Sequence, residues 1–240
     1  MVTLACGSVL NEKDQKDAKY HHRLAYGHFF ESGDSDAALQ EALKSIKLNP
    51  SSAEVHMLLG LIYTGRNDLL KALNHYQKSV EIKPEYYEAK NNLGTIYLAL
   101  SMWQKAIKIF TELTSIDEYR TPAMGYNNLG WAYYNLGDFK GAQKYFITAT
   151  QLNPRLCPPH NNIGMTYIEL KDLERAARSL KLGIKQCPRY AEPHLHLGRV
   201  QHLLNRSESA LVSWRICKKL SPSSEVGLRC DRLIKQSTLR

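Results

Sequence analysis

Long apolar runs are missing from this chain of 240 residues, so it has no candidate for a helix that crosses a bilayer. It also lacks a Gly/Ser linker, a low-complexity tract and any coiled-coil heptad pattern of useful length. One elongated domain is therefore expected over residues 18–236, with 1–17 as a polar N-terminal tether and 237–240 as a tail. Motifs that carry chemistry are equally scarce. There is no Gly-rich phosphate loop, and no cysteine pair has zinc-ribbon spacing. His194 and His196 stand two residues apart, face different sides of a helix and make no metal pair. No catalytic residue, metal or cofactor is expected, and the chain reads as a non-enzyme. Beside its basic residues it carries neither an aromatic stacking platform nor a recognition-helix signature, which argues against nucleic acid as a partner.

What the chain does have is a period. Gly60, Gly94, Gly130, Gly164 and Gly198 are separated by 34, 36, 34 and 34 residues. Each follows an aliphatic residue: Leu59, Leu93, Leu129, Ile163 and Leu197. Tyr63, Tyr97, Tyr133 and Tyr167 stand three residues later, with Gln201 in the fifth unit. Twelve residues after each glycine comes Ala72, Ala106, Ala142, Ala176 or Ala210. Four further on comes Tyr76, Phe110, Phe146, Leu180 or Trp214. Pro84, Pro154, Pro188 and Pro222 close four of the units. A repeat of this length is one helix–turn–helix unit, and such units stack into solenoids that present a wall to another chain. Glycine and alanine fall where helices must approach closely, because a larger side chain would wedge them apart. Proline stops the second helix and redirects the chain.

The same register extends in both directions. Upstream, Ala25, Tyr26, Phe29, Ala38 and Pro50 occupy the slots of a degenerate first unit. Downstream of Pro222, Val226, Leu228, Leu233 and Ile234 mark an amphipathic capping helix. On these motifs the chain resembles tetratricopeptide-repeat proteins over roughly residues 18–236. The resemblance implies an all-α fold: a right-handed α-solenoid of six helix–turn–helix repeats plus a C-terminal capping helix. One departure is the slot where such repeats often carry tryptophan, which here holds His56, Lys90, Tyr126, His160 and His194. With His22, the recurring histidines argue for packing within the hairpin.

The net charge of +9 is unevenly spread. Residues 1–170 hold 17 basic and 17 acidic side chains, whereas residues 171–240 hold 15 basic and 6 acidic. The basic C-terminal third either faces an anionic partner (lipid headgroups, an acidic protein segment or a polyanion) or is simply a solvated surface rich in lysine and arginine.

Five cysteines are present. Cys217 lies on the second helix of the last full repeat, and Cys230 lies on the next helix across a Pro-Ser-Ser turn. Antiparallel neighbours bring two such residues within disulfide reach, so a Cys217–Cys230 bridge is expected. Cys157 and Cys187 lie at the same end of one hairpin, and for them both a second bridge and two free thiols stay open. Cys6 is left over. Its flank, Thr3-Leu4-Ala5-Cys6-Gly7, looks like the tail of a bacterial lipoprotein signal peptide, although leucine usually stands where Thr3 does. That resemblance implies that Cys6 is acylated and, with Gly7 rather than aspartate following it, that the protein is sorted to the outer membrane.

The concave wall is the expected binding surface. Paired asparagines precede the aliphatic-Gly dipeptide in three repeats: Asn91-Asn92, Asn127-Asn128 and Asn161-Asn162. A side-chain amide is both donor and acceptor and can read a peptide backbone without reading its sequence. Asn92, Asn128 and Asn162 are the expected readers, unless these amides pack locally. Thr95, Leu98, Trp131, Tyr134, Met165 and Ile168 form the apolar stripe beside them, suited to anchoring partner side chains. The lysine- and asparagine-lined clamp of chaperone-tail binders is absent, because Met57, Leu61, Asn91 and Thr95 hold the matching slots.

One irregularity narrows the resemblance. The extra two residues between Gly94 and Gly130 fall in Ser115–Pro122, an enlarged turn with Asp117 and Tyr119. With the repeat count, Cys6 and the C-terminal cysteine pair, this resembles the pilotins of type IV pilus secretins, the Tgl/PilF/PilW family. The resemblance implies an outer-membrane lipoprotein on the periplasmic face that binds secretin subunits and promotes their multimerisation. Two other readings stay open: a periplasmic scaffold for envelope or cell-wall machinery that binds through its basic end, and an intracellular adaptor in which Cys6 is incidental.

Overall fold

A computed structural model describes residues 11–238, and Cys6 lies outside them. The described residues form helices throughout, with no strand. In chain order these are α1 (Glu12–Phe30), α2 (Ser35–Leu48), α3 (Ala53–Gly65), α4 (Leu69–Ile82), α5 (Tyr87–Ala99), α6 (Trp103–Thr114), α7 (Pro122–Asn135), α8 (Phe139–Leu152), α9 (Cys157–Glu169), α10 (Leu173–Gln186), α11 (Glu192–Leu203), α12 (Ser207–Leu220) and α13 (Glu225–Thr238). The fold class is the expected one, an all-α array of paired helices closed by a single last helix. Two boundaries differ from expectation. The helices group into two compact units, one ending at Met102 and one beginning at Trp103. In addition, α1 starts at Glu12, so the polar segment 12–17 is helical and not a tether. Asn11 caps this helix by accepting the Asp14 N–H at 2.7 Å, and Glu12 and Asp14 complement its positive end.

The glycine–aromatic register is explained by contacts inside each hairpin. A methyl group added at Gly60 would stand 2.5 Å from the Tyr76 ring. The same addition at Gly130, Gly164 and Gly198 would meet Phe146 at 2.7 Å, Leu180 at 2.4 Å and Trp214 at 2.3 Å. The large residue sixteen positions later therefore lies directly on the glycine. Tyr76, Phe110, Phe146, Leu180 and Trp214 are all buried, as are the five repeating alanines. In the first unit, Ala25, Ala38, Leu59 and Ile62 share one cluster with Phe29 and Tyr63. In the second, Ala176, Leu180, Leu197 and Val200 form another. Ala210, Trp214, Cys217 and Cys230 form a third around the last helix.

A second periodic element sits in the turn inside each hairpin. Gly33, Asn67, Ser101, Gly137, Lys171 and Asn205 all have positive φ, between 56° and 82°. They recur at the spacing of the core glycines. This left-handed residue reverses the chain at the end of the first helix. The residue that follows then caps the second helix: Asp34, Asp68, Asp138 and Asp172 each accept a backbone N–H two or three positions on.

The inter-repeat turns have their own fasteners. His56 Nε2 donates to the Pro50 carbonyl at 3.2 Å, and His160 Nε2 donates to the Pro154 carbonyl at 2.8 Å. Histidine in the tryptophan slot thus ties the first helix of a repeat to the turn before it. The enlarged turn between α6 and α7 is filled by Tyr119, which is 4% exposed and whose ring lies against Gly125. Two disulfides complete the set. Cys217–Cys230 joins α12 to α13 with Cα atoms 6.3 Å apart, and Cys157–Cys187 joins the start of α9 to the end of α10 at 5.8 Å.

Candidate functional site

The first helices of successive repeats carry the residues that sequence reasoning assigned to a partner. Asn92, Thr95 and Leu98 lie on α5, in the first unit. Asn92 and Leu98 are half-buried, and Thr95 is exposed with its hydroxyl donating to the Asn91 carbonyl at 3.1 Å. The other six lie in the second unit, on α7 and α9, which pack side by side, with α11 beside α9 and α13 beside α11.

On α7, Trp131 and Tyr134 stack with ring centroids 5.3 Å apart and planes 5° from parallel. Tyr134 also meets Phe139 edge-on at 5.3 Å. Its hydroxyl donates to Glu169 Oε1 of the next repeat at 3.4 Å. Burial, and after it the Glu169 carboxylate, push the Tyr134 phenol up to about 12, so it remains a donor. Both rings are half-buried, which leaves part of a flat aromatic surface on this face. Met165 is also half-buried, and Ile168 lies beneath the surface at 8% exposure.

The asparagines take a different arrangement from a free ladder. Asn161 Nδ2 faces Asn162 Oδ1 at 3.5 Å, Asn162 Nδ2 donates to Asn127 Oδ1 at 3.1 Å, and Asn127 Nδ2 reaches Asn128 Oδ1 at 3.4 Å. Four amides thus form a directed chain from α9 to α7, with Asn161 also donating to the Met165 sulfur at 3.3 Å. Asn161 and Asn162 are 4% and 8% exposed. Asn162 therefore spends a donor on holding α9 to α7. The physical reason is helical phase: the second asparagine of the pair sits beside the preceding repeat, where its amide completes Asn127. Directionality leaves a spare donor at Asn128, at the half-buried α7 end, and a sealed acceptor at the other end, because Asn161 Oδ1 has no partner. Buried amides of this kind are costly unless paired, so the chain also fixes the register of the two repeats.

Charge enters at the C-terminal side of the face. Arg199 on α11 lies close enough to Tyr134 to act on its titration. Within the basic C-terminal third, Lys218 pairs with Asp231 at 2.5 Å, and Lys235 pairs with the same carboxylate at 2.8 Å. Two of the C-terminal cations are thus internally compensated. Among the described residues no cluster of three histidine, cysteine or acidic side chains is placed to hold a metal, and no helix is long and apolar enough to cross a membrane.

Comparison with known proteins places this arrangement among its relatives. Profiles of the tetratricopeptide repeat match residues 28–86, 123–156 and 159–190, together just over half of the chain. A TPR repeat-containing protein of Methanocaldococcus jannaschii is 28% identical over 140 residues, and this chain spans about a quarter (24%) of that relative's length. Among solved structures, PilW, described as a widely conserved type IV pilus biogenesis factor, superposes with a TM-score of 0.78 at 19% identity, over 93% of this chain and 98% of that one. Pseudomonas aeruginosa PilF gives 0.72 at 17% identity, over 94% and 100%. YrrB, described as a TPR protein with an unusual peptide-binding site, gives 0.54 at 20% identity, over 80% and 97%.

Proposed function

We propose, for a chain that belongs to the tetratricopeptide-repeat family, a non-enzymatic role in assembling type IV pilus machinery: it binds secretin subunits and promotes their multimerisation. The observation that carries this reading is the end-to-end likeness to PilW, with nearly all of each chain matched. The α7–α9 face supplies the means. The stacked Trp131 and Tyr134 anchor an apolar side chain of the bound segment, Met165 gives an adaptable wall beside them, and Asn128 donates to its backbone. Asn162 and Asn127 hold the two repeats in register beneath it. In this reading Cys6 carries acyl chains that attach the protein to the outer membrane on its periplasmic side. Two disulfides support an oxidising compartment.

The test is the Trp131→Ala/Tyr134→Ala variant in cells that make the secretin. Heat-resistant secretin multimers should disappear from immunoblots while the helical circular-dichroism spectrum and membrane fractionation persist. Normal multimers in that variant overturn the reading. Cys6→Ala should leave the fold intact and release the protein from the membrane fraction, and unchanged attachment removes the anchor. A second reading, a periplasmic scaffold that binds through its basic end, draws support from the uncompensated arginines on α11 and α13. It predicts normal secretin multimers both in the aromatic variant and on charge reversal at Arg229 and Arg232, whereas loss of multimers on the reversal alone would put the secretin contact on the basic end.

A further inference from the structure

The positive charge of the chain is sorted by layer. In the second unit the first helices pack on one another, α7 on α9 and α9 on α11, while α8, α10 and α12 each pack between the first helices before and after them. The second helices therefore form a layer of their own. α7, α9 and α11 carry one basic residue, Arg199, and two acids. α8, α10 and α12 carry nine basic residues and two acids, whereas α2, α4 and α6 carry six and four.

Helical phase gathers that charge on one face. Ala142, Phe146 and Ala149 are buried along α8. At 3.6 residues per turn, Lys144, Ile147 and Gln151 point the opposite way. The same slots hold Arg178, Lys181 and Lys185 on α10, and Val212, Arg215 and Lys219 on α12; all nine residues are exposed. Six are cations and none is an acid. The matching slots of α2 and α4 hold one cation, Lys47, and one acid, Glu81. The acids of α10 and α12, Glu174 and Glu208, stand in the first turns, and Glu174 pairs with Arg206. Arg175 and Lys218, which pair with Asp172 and Asp231, lie outside these slots.

Aliphatic side chains stand among the cations. Leu182 and Val212 are 51% and 53% exposed, and Ile147 and Ile216 are exposed beside them. Four of the six cations are lysines, point charges on flexible stems, whereas a single carboxylate is gripped best by the planar fork of arginine. A lipid headgroup layer is a mobile sheet of phosphates over an apolar interior. It suits many flexible cations spread over several helices, and it also takes up the aliphatic groups between them.

We infer that the exposed face of α8, α10 and α12 rests on an anionic phospholipid surface, with its lysines and arginines among the phosphates and Leu182 and Val212 in the interface. The contact depends neither on the α7–α9 face nor on an acyl chain at Cys6, and it leaves the first helices open to a protein partner.

The experiment is cosedimentation of the full chain carrying Cys6→Ala, which removes any acyl contribution. The vesicles are phosphatidylcholine alone, or phosphatidylcholine and phosphatidylglycerol in equal parts. Binding should require phosphatidylglycerol and weaken steeply as salt rises. Each basic residue close to an anionic leaflet strengthens binding about fivefold. Lys181→Gln/Lys185→Gln should therefore weaken it by at least about tenfold. Lys47→Gln/Lys78→Gln, on α2 and α4, removes the same charge elsewhere and should leave binding close to that of the parent. Leu182→Asn/Val212→Asn should weaken binding while keeping its salt dependence. Equal binding to the two vesicles, equal loss from the two lysine pairs, or indifference to the aliphatic pair overturns the proposal. So does lysine-dependent binding of a labelled polyglutamate peptide without vesicle binding, which would make the occupant an acidic protein segment. Secretin multimers that ignore Trp131→Ala/Tyr134→Ala would defeat the assembly role and leave this result standing.

Discussion

Removing the Cys217–Cys230 bond asks how the last helix is held. The two cysteines are 13 residues apart. Closing a loop of that size in the unfolded chain is worth about 3 kcal/mol. α13 packs on α12 and α11 and has no repeat beyond it among the described residues, so its contacts come from one side. Both sulfurs are fully buried, so reduction leaves packed thiols and changes chiefly the reach of the opened state. A Cys217→Ala/Cys230→Ala variant should therefore lower the amide-exchange protection of α13 by about a hundredfold, which is what 3 kcal/mol corresponds to. Protection in α7–α10 should stay close to wild type, since repeats open locally. The matching variant at Cys157 and Cys187, 30 residues apart, should cost about 4 kcal/mol and act on α9 and α10 instead. Non-reducing peptide mapping followed by exchange mass spectrometry reads both. If α13 keeps its protection without the bond, packing alone holds the helix and the reasoning fails; if mapping finds four free thiols, its premise fails.

Gly164→Ala should destabilise the second unit by about 1–3 kcal/mol, because its methyl group would lie 2.4 Å from Leu180 Cγ, whereas Gly65→Ala, with nothing within 4 Å, should be near neutral; thermal unfolding of the pair checks this. Lys171→Gly should stabilise by up to about 1 kcal/mol, since Lys171 holds φ at 63° and glycine does so without a Cβ clash, and a lower melting temperature would contradict it. The first unit should lose stability as pH falls from about 6.5 toward 4. Burial, and then His56, hold His75 at about 4, and burial holds His56 below its usual value. Both rings fold neutral, the unfolded state binds more protons across that window, and the loss is complete below the folded value. With His56 Nε2 committed to Pro50, His75 Nδ1 donates to His56 Nδ1 at 2.9 Å, and His75→Asn should flatten the slope in acid unfolding curves.

The repeat architecture was legible because its cause is local and periodic. A glycine sixteen residues before a large apolar residue reports a helix crossing, and that crossing recurs at Gly60, Gly130, Gly164 and Gly198. The one irregular spacing marked the enlarged turn, and the Cys217–Cys230 spacing marked a helix–turn–helix junction. The left-handed turn residues share the period but are not legible in it, because Gly, Asn, Ser and Lys fill the slot in turn and only the backbone reveals what they have in common. The start of α1 is not legible either, because a polar segment reads as a tether until packing of the chain lets Asn11 cap it.

The candidate site divides along the same line. Composition and spacing put Trp131, Tyr134 and the asparagine pairs on first helices. Which amide faces a neighbour depends on the phase of one helix against the next, to within a fraction of a turn, and no pattern within a single repeat contains that phase. Packing therefore decided that Asn162 completes Asn127 and that Asp231 neutralises Lys218. Periodicity within one chain segment determines which helices form and which faces they bury, whereas partners drawn from different repeats are selected only when those helices come within hydrogen-bonding distance.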